Sequence, residues 1–311
     1  MHKGTKITII IAAVMLVAGC VMAGIGYTVS GGNITVDYEQ KDKHEKRFSD
    51  EVSKIEVELR SEDVELYVIS GDEYVVEYYD NIRKYFDVEL DGDILQVVRN
   101  NVRVKWYENI HIGFEKPIVD VRIGVPAEFY GEVVLSTGSG GISVDGLTLE
   151  KPLSVSVGSG GIGINNVYCS ELTVSTGSGG VSIDGVSVIN DTHITAGSGG
   201  VRAEELRCGE EFKAEAGSGA IRLENCSADT VRLKTASGSI NFEDFSYDSS
   251  AYIRAGSGGV RGELTGREED YSIRSDTGSG SCNLPKHTDN GDKILDVSTG
   301  SGSIKIEFAD D

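Results

Sequence analysis

The residues best able to do chemistry sit in short glycine-rich stretches. Gly158-Ser159-Gly160-Gly161-Ile162-Gly163 spells the G-x-G-x-x-G of dinucleotide-binding loops. Such a loop works where a helix N-terminus follows it and holds the pyrophosphate. Here a strand pattern follows, and the sister copies lack the third glycine, which argues against a nucleotide. Gly140 to Asp145 is similar to calcium-binding β-roll turns. Those repeat every nine residues with glycine two positions before the acid. In this chain Val144 and Ile183 directly precede the acid and the period is about twice as long, which argues against calcium. His111, His193 and His287 lack metal-ligand spacing. No Ser/His/Asp or Cys/His set recurs at matching positions. A glycan-cleaving β-helix enzyme would need carboxylates converging in a cleft built by long loops. The reading is therefore non-catalytic, with no cofactor or metal expected.

What remains is chemistry suited to a surface. An acid slot recurs as Asp145, Asp184, Glu204, Glu224 and Glu243, with Asn165 in the same series. Stacked like charges repel. Arg202 and Arg222 precede two of these acids by two residues, so cross-coil pairing is expected to offset the repulsion. A neutral hydroxyl face is expected from Ser143, Ser154, Ser156, Thr173, Ser175 and Ser182. Trp106 and Tyr107 lie in an irregular segment, Arg99 to Pro117, long enough to be either a cap over open strand edges or a binding loop.

The elements that carry these residues are set by a repeat. Gly-Ser-Gly recurs at Gly138, Gly158, Gly177, Gly197, Gly217, Gly256, Gly278 and Gly300, and Ala236-Ser237-Gly238 fills the one gap. A fixed period of this size marks a solenoid. After each turn comes an apolar-x-apolar pair, such as Ile142/Val144, Ile221/Leu223 or Ile304/Ile306. A second pair precedes the next turn, such as Leu153/Val155 or Leu295/Val297. The expectation is an all-β parallel β-solenoid of roughly 20-residue coils, two short strands each. Ile304 and Ile306 would sit in its last coil, with a neighbour on one side only. The turn glycines are expected to serve positive φ and close coil-to-coil approach. The turn serines are expected to bond local backbone. Cys169, Cys208, Cys226 and Cys282 fall in slots held elsewhere by aliphatic residues, so they read as unpaired core residues.

The flanks give the domain plan. Ile7 to Tyr27 carries no charge and is long enough to span a bilayer, and Lys3 and Lys6 before it favour a cytoplasmic N-terminus. Val17-Ala18-Gly19-Cys20 resembles a lipoprotein cleavage box, so an uncleaved anchor competes with lipidation at Cys20. The expected order is residues 1–6 in the cytoplasm, a transmembrane helix over 7–27 and a linker over 28–50. A β-rich cap over 51–133 and the solenoid over 134–311 follow, with Asp91-Gly92-Asp93 marking a hairpin in the cap. The bulk of the chain would then be extracytoplasmic. With 50 acids against 29 Lys and Arg, the net charge of −21 argues against nucleic acid as partner.

Ser136 to Val144 and Ser175 to Ile183 carry Ser-Thr-Gly-Ser-Gly-Gly-apolar-x-apolar, and Arg60 to Leu66 is a weaker copy. In these motifs the chain resembles the bacterial "putative adhesin" β-strand repeat family, a domain of unknown function preceded by a membrane helix. The resemblance spans most of residues 50–308. It implies a cell-surface, adhesin-like protein with a link to envelope stress, and it carries over no catalytic residue. The expected partners are the membrane, through the N-terminal helix, and an envelope protein, wall polymer or cationic peptide. The alternatives are an architectural or signalling envelope component that senses cationic peptides, and a glycan-cleaving enzyme.

Overall fold

The structure is a computed structural model that describes residues 15–17, 19, 21, 42–80, 84–101 and 119–309. The chain forms two compact units, residues 1–40 with 104–116 and residues 41–103 with 117–311. The second unit holds the repeats. Of the expected anchor, Met15 to Val17, Gly19 and Val21 are helical and exposed, and the rest lies outside the described residues. Among the described residues no helix is long and apolar enough to cross a membrane.

The second unit is a parallel β-solenoid whose coils have three sides rather than two. Face A takes strands such as Glu132–Thr137, Leu153–Val157, Leu172–Thr176, Thr192–Ala196 and Glu211–Ala216, each pairing in register with the next. Face B takes Ile142–Asp145, Ile162–Asn165, Val181–Asp184 and Val201–Glu204 in the same way. Face C is a short third side: Tyr168–Cys169, Ser187–Val188 and Arg207–Cys208. The long strands Ile221–Thr235 and Ile240–Ala255 run through all three sides. Alternate residues point inward because a strand has period two. The apolar pairs expected from the repeat, including Ile221, Leu223, Leu153 and Val155, are all buried. Leu147, Leu149, Cys169, Cys208 and Cys226 close the core behind face C.

The turn glycines have one of the two expected roles. None of those in the Gly-Ser-Gly turns has positive φ. They are needed for close approach. A Cβ on Gly160 would overlap the Gly140 carbonyl of the coil beneath, and one on Gly179 would overlap that of Gly160. Left-handed backbone appears instead at the bend between faces B and C, at Gly146 (φ 77) and Gly185 (φ 63) and also at Asn166, Glu205, Asn225 and Asp244. Threonine, rather than the turn serine, ties the turn. The Thr176 hydroxyl accepts from Gly179 N–H at 3.1 Å and donates to the Gly160 carbonyl of the neighbouring coil at 3.0 Å. Thr235 and Thr299 repeat both bonds. The turn serines, Ser159 and Ser178 among them, are exposed.

The stack begins earlier than position 134. Lys54–Glu58 pairs with Glu132–Thr137, and Val64–Ile69 pairs with Ile142–Asp145, so residues 54–69 already form a coil. Its turn lacks Gly-Ser-Gly. The buried Glu62 carboxylate takes the Arg60 and Ser61 N–H groups and pairs with Arg99 at 2.9 Å. Ile94–Asn101 and Val121–Pro126 form a further coil outside that one. The cap proper is antiparallel: Lys84–Asp91 on Ile94–Asn101, turning at Gly92 as the hairpin signal requires, and Tyr74–Asp80 on Val121–Pro126. The mixed-charge run placed in the linker is partly a strand. Asp42–Phe48 pairs with Tyr74–Asp80, and its first six residues are exposed. Charge on an edge strand discourages pairing with another chain.

At the other end, spatial order departs from chain order. Lys293–Thr299 lies between Ile240–Ala255 and Tyr271–Thr277 on face A. Ile304–Ala309 lies between Val260–Thr265 and a bridge at Cys282 on face B. The coil of residues 271–282 is therefore outermost, and the chain turns back to fill the place beneath it. Ile304 and Ile306 have neighbours on both sides, contrary to the one-sided expectation. The outer edge is closed by residues 283–288. Asn283 acts as a peptide mimic, donating to the Ile306 carbonyl at 2.7 Å and accepting from Ile306 N–H at 3.0 Å. Thr288 N–H reaches the Ile273 carbonyl at 2.9 Å.

Candidate interaction surface

Register turns the outward residues into columns, one residue per coil. On face A the first column runs Ser154, Thr173, His193, Lys213, Arg232, Tyr252, and the second runs Ser156, Ser175, Thr195, Glu215, Lys234, Arg254. The face thus changes along the stack from neutral hydroxyl to cationic. Ser175 donates to Ser156 across coils at 3.1 Å. In the cationic half Lys213 meets Glu215 at 3.2 Å, Arg232 pairs with Glu211, and Arg254 holds Asp296 at 2.8 Å and Ser298 at 2.9 Å. Arg232 also lies over the Tyr252 ring, 4.8 Å from its centroid.

Face B carries different columns. The first is Ser143, Gly163, Ser182, Arg202, Arg222, Asn241 and Arg261, and the second is the acid slot. Arg202 pairs with Glu204 on its own strand and reaches Glu224 of the next coil at 3.7 Å. The expected cross-coil pairing therefore occurs at Arg202; Arg222 makes no ion pair among the described residues. A shallow groove of about 250 Å³ runs between the two columns from Arg202 to Arg261.

The six hydroxyls expected on one face are divided between two. Ser154, Ser156, Thr173 and Ser175 form a patch on face A. Ser143 and Ser182 are on face B, and Gly163 interrupts them. Sequence spacing places residues on the outer side but does not say which of two faces they share. Trp106 and Tyr107 lie outside the described residues, as does most of the Arg99 to Pro117 segment. Sequence spacing does not single out the cations Lys213, Arg232, Lys234 and Arg254, although shifts of two to four repeat periods from Thr173 and Ser175 lead to them.

The described residues bring no catalytic set together. No group of three or more His, Cys, Asp or Glu among them is placed to hold a metal ion. Among the described residues the His193 side chain faces Glu211, at 3.8 Å, and that of His287 faces Asp289, at 3.0 Å. The four cysteines among the described residues are free thiols, three of them buried. Burial pushes Cys169 up to about 12 and raises Cys208 and Cys226 as well, so they stay protonated and poorly nucleophilic at neutral pH.

Residues 52–307 match the Toastrack DUF4097 family, a domain of unknown function. The chain belongs to this family. The match starts at the first coil and ends in the strand Ile304–Ala309, so the family domain includes the early coils without Gly-Ser-Gly. Among solved structures, a "putative adhesin" from Bacteroides fragilis is 14% identical, with 86% of this chain and 98% of that one covered and a TM-score of 0.43. A "putative lipid binding protein" from Parabacteroides distasonis is 15% identical over 85% and 96%, with a TM-score of 0.43. A "putative adhesin" from Parabacteroides merdae is 12% identical over 85% and 96%, with a TM-score of 0.40. No match to a curated protein was found.

Proposed function

We propose that this Toastrack chain is a non-catalytic interaction module of a bacterial envelope. Its N-terminal apolar segment holds it at the membrane, and it binds an extended polymer along its stack of coils. The observation that carries the reading is the in-register outward columns of face A, which repeat one polar group per strand spacing of about 4.8 Å. A linear polymer with a short repeat can meet such a row many times over, each contact weak and their sum large. A catalytic centre needs the opposite, a few groups converging on one reacting atom. The test is co-sedimentation of the full chain, in neutral detergent micelles, with purified wall sacculi, followed by assay of the supernatant for soluble sugar. Retention without sugar release is expected. Sugar release would favour a glycan-cleaving enzyme, and failure to sediment would contradict the reading.

A second reading has its own observation. The acid column of face B, from Asp145 through Glu243, would attract a cationic peptide. In that case the chain is a sensing component of the envelope linked to envelope stress. Saturable binding of a cationic peptide that Glu224→Gln weakens would support it.

A further inference from the structure

We propose that face A takes a polyanionic wall polymer, a chain of phosphodiester-linked polyols laid along the stacking axis. Its phosphates lie over the cationic half and its hydroxyl-bearing stretches over the Ser/Thr half. The inference rests on the polymer-binding reading above and assigns that polymer a chemical class.

Charge decides the class. Three successive face A strands, Glu211–Ala216, Ile221–Thr235 and Ile240–Ala255, turn Lys213, Arg232, Lys234 and Arg254 outward against Glu211 and Glu215. The same coils on face B set Arg202, Arg222 and Arg261 against an unbroken row of glutamates, with no positive excess. Face A is therefore locally cationic in a chain of net charge −21. Repulsion from acids elsewhere is screened beyond about 8–10 Å at physiological ionic strength, so the local excess governs what approaches. The acids on the face A stretches of these strands and on the adjoining Lys293–Thr299 are engaged: Glu211 by Arg232, Glu215 by Lys213 and Asp296 by Arg254. Lys234 makes no ion pair among the described residues and is exposed. Arg232, over the Tyr252 ring, still presents guanidinium donors suited to phosphate.

The adjoining half explains why the polymer should carry hydroxyls. Ser154, Ser156, Thr173 and Ser175 continue the same two columns without a charge. Each hydroxyl can donate or accept, so this patch suits polyol oxygens and does not repel phosphate. A purely ionic partner would leave it idle, and a neutral glycan would leave the cations idle.

The experiment is calorimetric titration of the full chain, in neutral detergent micelles, with purified poly(glycerol phosphate). Neutral wall glycan and single-stranded DNA of equal charge serve as the other arms. Saturable poly(glycerol phosphate) binding that falls with added salt is expected. Lys234→Glu should weaken it at least tenfold, Ser156→Asp should also weaken it, and Arg222→Glu on face B should change it less than twofold. Circular dichroism checks that each variant is folded. No binding at low salt, equal losses from Lys234→Glu and Arg222→Glu, no loss from Lys234→Glu, or equally tight binding of DNA would each overturn the assignment. If neutral glycan binds and poly(glycerol phosphate) does not, this inference falls and the polymer-binding reading stands. If neither binds, both fall.

Discussion

At the residue scale, the buried thiols give a pH-dependent signature. The Cys169 thiol ionises near 9.0 when unfolded and at about 12 in the fold. Burial favours the protonated form, so its stabilising contribution is complete below pH 9 and is lost as pH rises toward 12. In that window the unfolded chain releases a proton that the folded chain keeps, which lowers stability by about 1.4 kcal/mol per pH unit for each such thiol. Denaturation midpoints measured from pH 8 to 11 should fall more steeply for the native chain than for Cys169→Val. Equal slopes would contradict the burial. Backbone strain offers a second residue-scale test. Glu205 holds φ 51, a region where side chains other than glycine are crowded. Its sister positions at Gly146 and Gly185 already carry glycine. Glu205→Gly should therefore stabilise the chain by about 0.5–1 kcal/mol, because relief of strain outweighs the added freedom of the unfolded chain. A destabilised variant in urea denaturation would argue against a left-handed bend there.

At the element scale, the turn is the unit that decides stacking. Thr176 closes its own turn and bonds the next coil at once, while Ala196 occupies the same place without either bond. Thr176→Ala should cost about 1–2 kcal/mol, since it strands the Gly179 N–H and the Gly160 carbonyl. A variant as stable as the native chain by chemical denaturation would show the hydroxyl to be idle. Much of the element plan was legible. Period two marked inward Ile142, Leu223 and Val297, and the repeat aligned the cysteines with aliphatic slots. Three elements were faint or hidden for physical reasons. The coil of residues 54–69 closes its turn with Glu62 and Arg99 instead of glycines, so its repeat signature is reduced to the weak copy over Arg60 to Leu66. Asp42–Phe48 is an edge strand that contributes almost nothing to the core, so it has no apolar period. Face C is two residues long in several coils, too short for any pattern.

At the scale of the whole molecule, the interleaved C-terminal coil could not be read from sequence. Near-identical repeats pair in register in any order, so the pattern alone does not say which coil lies next to which. The stability ranking follows this spatial order. Leu223→Ala and Ile306→Ala should both cost about 2–5 kcal/mol, because each side chain has neighbours above and below. Ile273→Ala, in the outermost coil, should cost less because the covering segment can relax. Exposed Arg222→Ala should stay within about 1 kcal/mol. Chemical denaturation of the four variants would show it, and an Arg222→Ala loss exceeding that of Leu223→Ala would invert the two sides of face B.

The columns on faces A and B are continuous only if residues 293–309 lie beneath residues 271–282, and disulfide trapping tests that order directly. Ser257, Ser279 and Ser301 are exposed at the tips of three turns. The Gly300 turn stacks on the Gly256 turn, and the Gly278 turn stacks on the Gly300 turn. Neighbouring turns lie about one strand spacing apart, within the 4.4–6.8 Å that a disulfide spans, whereas turns two coils apart do not. Under mild oxidation the pair Ser257→Cys with Ser301→Cys should cross-link, and the pair Ser257→Cys with Ser279→Cys should not, with peptide mass mapping locating each bridge. Cross-linking of 257 to 279 with none between 257 and 301 would mean that the coils stack in chain order, and the account would be contradicted.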